Sequence, residues 1–255
     1  MKNCACLLSL MFLYVSCLAN VSDADLKRSD FVAATSKGKI DLPYLLYSPE
    51  NIKKGTKLPL VIFLHGIGSR GDDNEKQLAR TGFLKMINRA GFPDKHPCYM
   101  LAPQCPAGSY WSRAPMDTLL ALVAKLVKEK NIDTARIYIT GLSMGGFGTW
   151  EALKQRPGMF AAALPICGGG KPAAAKTFAN VPIWVFHGDK DETVKPEKSR
   201  EMVAALKKAG GQPKFTELKG VGHGSWSAAY TSPEVWQWMF QQKLKTKKSP
   251  AGASK

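Results

Sequence analysis

The chain reads as an α/β protein built on a mainly parallel central sheet with helices on both faces. Leu58-Pro59-Leu60-Val61-Ile62-Phe63-Leu64 is an unbroken apolar run that stops at His65-Gly66, the pattern of a strand buried on both faces. Tyr99 to Ala102, Ile137 to Thr140, Ala162 to Ile166 and Ile183 to Phe186 repeat it, with helical patterns between them. Strand–helix alternation with short connections implies parallel strands. The length of 255 residues is within reach of one α/β domain.

The flanking strands are Ile40 to Tyr47 and Lys214 to Leu218. In one helix, begun near Pro115, Leu119, Leu122, Val123, Leu126 and Val127 fall on a single stripe. Gln77 to Arg89, Gly145 to Arg156, Pro196 to Ala209 and Pro233 to Leu244 are the other predicted helices, the last facing the core through Trp236, Met239 and Phe240. Between Cys167 and Ile183 only a Gly-rich turn and Ala173 to Phe178 intervene. That leaves no room for a large helical lid, so the pocket is expected to be open or shallow.

The ends of the chain differ from this pattern. Lys2, the apolar stretch Leu7 to Val15 and the small residues around Ala19 have the order of a secretory signal peptide (1–19), cleaved after Ala19. The product would be secreted or periplasmic. Val15-Ser16-Cys17 also admits a lipoprotein reading, ranked second because Tyr14 stands where a leucine is expected. Residues 20–39 are polar and expected to be loosely ordered, 40–244 are expected to form the one α/β domain, and 245–255 a disordered basic tail.

The formal charge is +16; positions 1–19 hold Lys2 and no acid, so their removal leaves +15. The lysines are scattered, and neither zinc spacings nor an interleaved aromatic–basic signature is present, which argues against specific nucleic-acid binding. A basic face in electrostatic contact with acidic polysaccharide or an anionic membrane surface fits better. Beyond the leader remain Cys98, Cys105 and Cys167, so one internal disulfide at most can form. Oligomeric state is not encoded in any pattern found.

The chemistry is carried by Gly141-Leu142-Ser143-Met144-Gly145. This G-x-S-x-G follows a strand and opens a helix, which would hold the Ser143 hydroxyl above the sheet on a sharp turn. A serine hydroxyl needs a base to take its proton, and the base needs an orienting carboxylate. On this kind of turn the chain order is serine, acid, histidine. His223, in Gly222-His223-Gly224, is the one histidine late enough to serve. His65 and His187 end strands, where bonding to nearby backbone suits them, and His96 precedes Pro97. For the acid, Asp191 and Asp189 compete, and Asp189 could merely cap its turn.

Oxyanion donors would be the N–H of Met144 and a second one from Ile67, with Gly66 next. Trp111 and Trp226 are candidate pocket walls, although tryptophan is as often plain core. Arg70-Gly71-Asp72-Asp73-Asn74 reads first as a helix cap.

Several of these segments together resemble a known superfamily. They are Leu64-His65-Gly66 with Arg70-Gly71-Asp72, Ala102-Pro103-Gln104-Cys105-Pro106 with Trp111, Gly141 to Gly146 with Trp150, and Pro165 to Gly170. His187-Gly188-Asp189-Lys190-Asp191 and Gly222-His223-Gly224-Ser225-Trp226 complete the set. From Ile40 to Leu244 the chain is similar to secreted serine esterases and predicted peptidases of the α/β-hydrolase superfamily. Within it, the resemblance is to the phospholipase/carboxylesterase, dienelactone hydrolase, polyhydroxybutyrate depolymerase, feruloyl esterase and prolyl oligopeptidase-like groups. It implies the α/β-hydrolase fold, a Ser143–Asp191–His223 triad with Asp191 preferred over Asp189, no metal and no cofactor. The activity expected is hydrolysis of a carboxylic ester, on a polymer in one version. A serine peptidase with the same triad is the alternative, and a non-catalytic polymer-binding protein ranks last because all three residues are present. Acyl and alcohol specificity are left open.

Overall fold

The computed structural model describes residues 21–35, 38–50, 52–79, 81–92 and 95–244; the expected leader and basic tail lie outside these. Eight strands form one sheet: β1 (Leu26–Thr35), β2 (Gly38–Tyr47), β3 (Leu58–Leu64), β4 (Tyr99–Pro103), β5 (Ile132–Leu142), β6 (Ala162–Ile166), β7 (Trp184–Gly188) and β8 (Lys214–Leu218). Their spatial order is β1-β2-β4-β3-β5-β6-β7-β8. β1, β2 and β4 pair antiparallel. From β4 to β8 every pairing is parallel, as the α/β-hydrolase fold requires.

β3 shows why the apolar runs form strands here. All seven of its residues are buried. Leu60, Ile62 and Leu64 enter one core cluster, whereas Val61 and Phe63 enter the other. The two-residue alternation thus feeds both faces of the sheet at once. Each such side chain contributes about 1.5–3 kcal/mol of burial.

On the first face lie α3 (Arg113–Glu129), α4 (Met144–Gln155) and α5 (Glu197–Lys208). The predicted stripe Leu119, Leu122, Val123 and Leu126 is buried there. The second face is covered by α1 (Lys76–Ala79), α2 (Phe83–Arg89), α6 (Trp226–Tyr230) and α7 (Pro233–Gln241). Trp236 and Met239 are buried, and Phe240 packs partly buried against the same core.

Two expectations need correction. The described part of residues 20–39 is not loose: Leu26–Thr35 is β1, in register with β2 along its whole length. An edge strand with one wet face needs few apolar residues, and Leu26 and Phe31 suffice to pin it to the core. Even Val21 is held, donating to Asn88 Oδ1 at 3.1 Å and accepting from Asn88 Nδ2 at 2.8 Å. The predicted helix Gln77 to Arg89 is two helices, broken where Gly82 adopts the left-handed conformation at φ 62°. The break lets Phe83 stack on Phe63 with ring centroids 3.9 Å apart.

Close backbone approach explains the glycines of the elbow. A Cβ on Gly145 would collide with the Leu64 carbonyl, and one on Gly141 with the Gly145 carbonyl. Gly145→Ala is therefore expected to lower the unfolding free energy by about 3 kcal/mol or more. Gly158→Ala, where an added methyl meets nothing within 4 Å, should stay within about 0.5 kcal/mol of wild type. Urea titration of both variants checks the contrast.

Candidate active site

Parallel strands end on a common edge, so the loops after β3, β5, β6, β7 and β8 converge there. Ser143 occupies the step from β5 into α4, with φ 54° and ψ −118°. For a residue with a Cβ this conformation costs about 1–3 kcal/mol, and the elbow is locked partly by the Ser143 N–H, which donates to Ile166 O at 3.0 Å.

The loop after β8 brings His223 to it. His223 Nε2 lies 2.9 Å from Ser143 Oγ, and His223 Nδ1 lies 2.7 Å from Asp191 Oδ2. The three residues, 80 and 32 positions apart by pairs, form one hydrogen-bonded row. Asp191 is buried, and its other oxygen accepts the N–H groups of Thr193 and Val194, each at 2.9 Å. Burial alone would raise its pKa. The hydrogen bond and charge of His223, with the two backbone donors, outweigh that and hold the carboxyl below its usual value.

The two candidate acids take different partners. Asp189 Oδ1 accepts the Gly220 N–H at 2.7 Å, capping the turn after β8. It is Asp191 that meets the histidine.

Met144 stands first in α4 and Ile67 first in a 3-10 turn spanning Ile67–Ser69. At a first position no carbonyl of the same helix reaches the N–H, so both are disposed to donate outward. The two loops are close, since a Cβ on Gly66 would fall 3.7 Å from the Ser143 Cβ.

Behind this loop, His65 is fully buried, with Nδ1 2.7 Å from Gly66 O and Nε2 accepting the Cys105 N–H at 2.9 Å. These partners call for a neutral ring with the hydrogen on Nδ1. Burial pushes its pKa down to about 4. In the unfolded chain the value returns to the ordinary 6.5. Folding then excludes one proton between those values, so stability is full above pH 6.5 and falls as pH drops toward 4. The loss approaches about 3 kcal/mol. Urea unfolding at pH 7.5 and pH 4.5 should show this, and His65→Gln should flatten the difference.

Trp111 supports the same loop, its buried indole Nε1 donating to His65 O at 3.0 Å. It also lines a cavity of about 570 Å³ that opens beside Ser143. The expectation for Trp226 is corrected: it lies outside that lining and packs edge-on against His223, ring centroids 5.5 Å apart. A tryptophan three residues past the histidine braces the base because α6 begins there.

Sequence reasoning missed the other walls: Tyr110, Phe147, Phe178 and Val194, with the Glu151–Lys154 ion pair at 2.6 Å farther along α4. Phe147 had a signal, since it lies one helical turn past Ser143; Val194 had none. Only a 3-10 turn, Pro172–Phe178, sits between β6 and β7, so the short-lid expectation holds and the cavity is open.

Arg70 to Asn74 is a cap region as read: Asp73 Oδ1 accepts the N–H groups of Glu75 and Lys76 at the start of α1, both at 3.0 Å. Cys98, Cys105 and Cys167 are buried free thiols. One grouping among the described residues has metal-ligand chemistry: Cys167, Asp191 and His223, with donor atoms within 4.8 Å of one another. Burial pushes the Cys167 thiol up to about 12, so it stays protonated while a metal ligand must be a thiolate. Asp191 and His223 already spend their facing atoms on each other. The set suits proton transfer better than an ion. No described helix is long and apolar enough to cross a membrane.

Comparison with known proteins finds relatives among esterases. A solved structure of a thermostable esterase superposes with a TM-score of 0.79 at 38% identity, covering 86% of this chain and 64% of that one. The bifunctional acetylxylan esterase/xylanase XynS20E of Neocallimastix patriciarum is 31% identical over 58% of this chain. The poly(3-hydroxyalkanoate) depolymerase C of Paucimonas lemoignei is 27% identical over 57%. The chain spans only 21% and 43% of the length of these two relatives. The family model for dienelactone hydrolases matches residues 44–235, a range that contains the elbow, Asp191 and His223. The chain belongs to the dienelactone hydrolase family.

Proposed function

We propose that the protein is a serine hydrolase that cleaves carboxylic esters through an acyl-serine intermediate. The observation that carries this is the row Ser143 Oγ–His223 Nε2 at 2.9 Å and His223 Nδ1–Asp191 Oδ2 at 2.7 Å. In the first step Ser143 Oγ attacks the ester carbonyl while His223 takes its proton, and Asp191 stabilises the imidazolium. The tetrahedral oxyanion accepts hydrogen bonds from the N–H groups of Met144 and of Ile67 or Gly66. His223 then protonates the leaving alcohol, and water returns along the same route to release the acid.

Esters are favoured over peptide amides because the thermostable esterase, the acetylxylan esterase and the depolymerase carry ester chemistry in their names. Two of those names also point to polymers, and an open cavity edged by the exposed side chains of Tyr110, Ile67 and Phe147 suits a chain lying across the site. Action outside the cytoplasm follows from the leader pattern, and N-terminal sequencing of exported protein should begin at Asn20.

The test is a pre-steady-state assay with p-nitrophenyl acetate, coupled to labelling with a fluorophosphonate. A burst of about one p-nitrophenol per active site is expected if deacylation is the slower step, with label on Ser143 in peptide maps. No label on Ser143, or faster cleavage of a matched p-nitroanilide than of the ester, would overturn the reading.

A further inference from the structure

The loop that holds Asp191 is itself held by a second histidine. His187, the penultimate residue of β7, has no exposed surface. Its Nε2 lies 2.8 Å from Val194 O and 3.2 Å from Asp191 Oδ2, the oxygen that also meets His223. Two oxygens facing one ring nitrogen fix a hydrogen on it, because a bare lone pair there would repel both. On the ring's other side Nδ1 sits 2.7 Å from the buried Ser199 Oγ of α5, which also lies 3.0 Å from Gly168 O; with the ring hydrogen on Nε2, both are acceptors for the one hydroxyl hydrogen.

The contacts close into a ring. Val194 N–H donates to Asp191 Oδ1, Val194 O accepts from His187 Nε2, and the same Nε2–H lies beside Asp191 Oδ2. His187 therefore touches the acid twice, through space and through the backbone of Val194.

We infer that His187 is a positioning residue for the proposed hydrolysis: it holds Asp191 and the 191–194 turn in line with His223 and draws part of the carboxylate charge away from it. The inference rests on the functional reading above. Asp191 is the charged group facing His187. Ser199, the carbonyls of Val194 and Gly168, and beyond Asp191 the His223 ring and the protonated Cys167 thiol complete the surroundings.

Two consequences separate this role from plain packing. Without the Nε2–H donor, Asp191 Oδ2 presents more charge to the His223 ring. The acid limb of kcat/KM should move upward, by about 0.5 pH unit. The turn should also lose its register, lowering kcat by about 10- to 100-fold; KM should change less, because that turn gives the cavity only Thr193 and Val194 while the walls from α4 and from Pro172–Phe178 are untouched.

The test uses the full chain with His187→Phe, His187→Gln and Ser199→Ala. Each is assayed for kcat and KM on p-nitrophenyl acetate across pH, and for the rate of fluorophosphonate labelling of Ser143. His187→Phe should show both effects. His187→Gln, whose amide N–H reaches the same oxygens, should recover kcat to within about 5-fold. Ser199→Ala frees the far side of the ring and should shift the acid limb the same way by less, and it provides the reading if His187→Phe does not fold.

An unmoved acid limb in Ser199→Ala and, where it folds, in His187→Phe would overturn the inference, as would equal losses of kcat in the Phe and Gln variants. A wild type inert to both probes would instead overturn the functional reading, and the inference with it.

Discussion

Ser143→Ala is expected to lower kcat on p-nitrophenyl acetate by about 10⁶-fold while leaving KM within a few-fold. In the proposed mechanism the side-chain oxygen is the attacking atom, so no neighbour can substitute for it. A residual acceleration of about 10³–10⁴ over water should persist, because the Met144 and Ile67 N–H groups and the cavity still bind the transition state. Folding should be nearly unchanged. The strain at φ 54° comes from backbone and Cβ, which alanine keeps, and the lost hydroxyl contact is one partly buried hydrogen bond to His223. Thermal melting within a few degrees of wild type, beside an activity at the residual level, is the expected pair of results. A variant retaining more than about a hundredth of wild-type kcat would mean another nucleophile.

How much of this was legible before the structure depended on what each residue type leaves in a linear pattern. Strands buried on both faces advertise themselves as unbroken apolar runs, and β3 and β6 are found where the runs are. Ser143 was legible because a strand, two glycines and a helix together describe a turn whose backbone approaches Leu64 too closely for any side chain at Gly145. β1 was not legible. As a two-stranded edge it buries few residues, and Lys27, Arg28 and Asp30 look like loop. The split between α1 and α2 was hidden in one glycine, which a helix can tolerate or reject depending on what Phe83 must reach. Cavity walls such as Val194 come from loops whose positions follow from hydrogen bonds around Asp191 rather than from any periodicity. His187 shows the same limit. Its place at the end of a strand was readable, but its contact with Asp191 depends on a turn that returns Val194 over the ring.

Asp191→Asn and Asp189→Asn differ by two positions and should differ by about four orders of magnitude in kcat. Asparagine at 191 can keep the bonds from Thr193 and Val194 through its oxygen, so the turn survives. It then presents an amide nitrogen or an uncharged oxygen to His223 Nδ1. In the first case the histidine tautomer is wrong for accepting the serine proton. In the second the imidazolium loses its counter-charge. Either defect costs about 10⁴-fold in kcat. At 189 the same change keeps an oxygen for the Gly220 N–H, so activity should fall by less than about 3-fold and stability by no more than about 1 kcal/mol. The pH dependence carries the same sign of evidence. The Asp191 carboxyl is held below its usual value by His223 and the two backbone donors, so its stabilising contribution is complete above the unfolded value of about 4 and fades as pH falls through the lower folded one. Asp191→Asn should abolish that part of the acid sensitivity, and Asp189→Asn should leave it. Were the two variants to lose kcat equally, the carboxylate at 191 would be holding a loop and nothing more, and proton transfer from Ser143 would have to be explained without it.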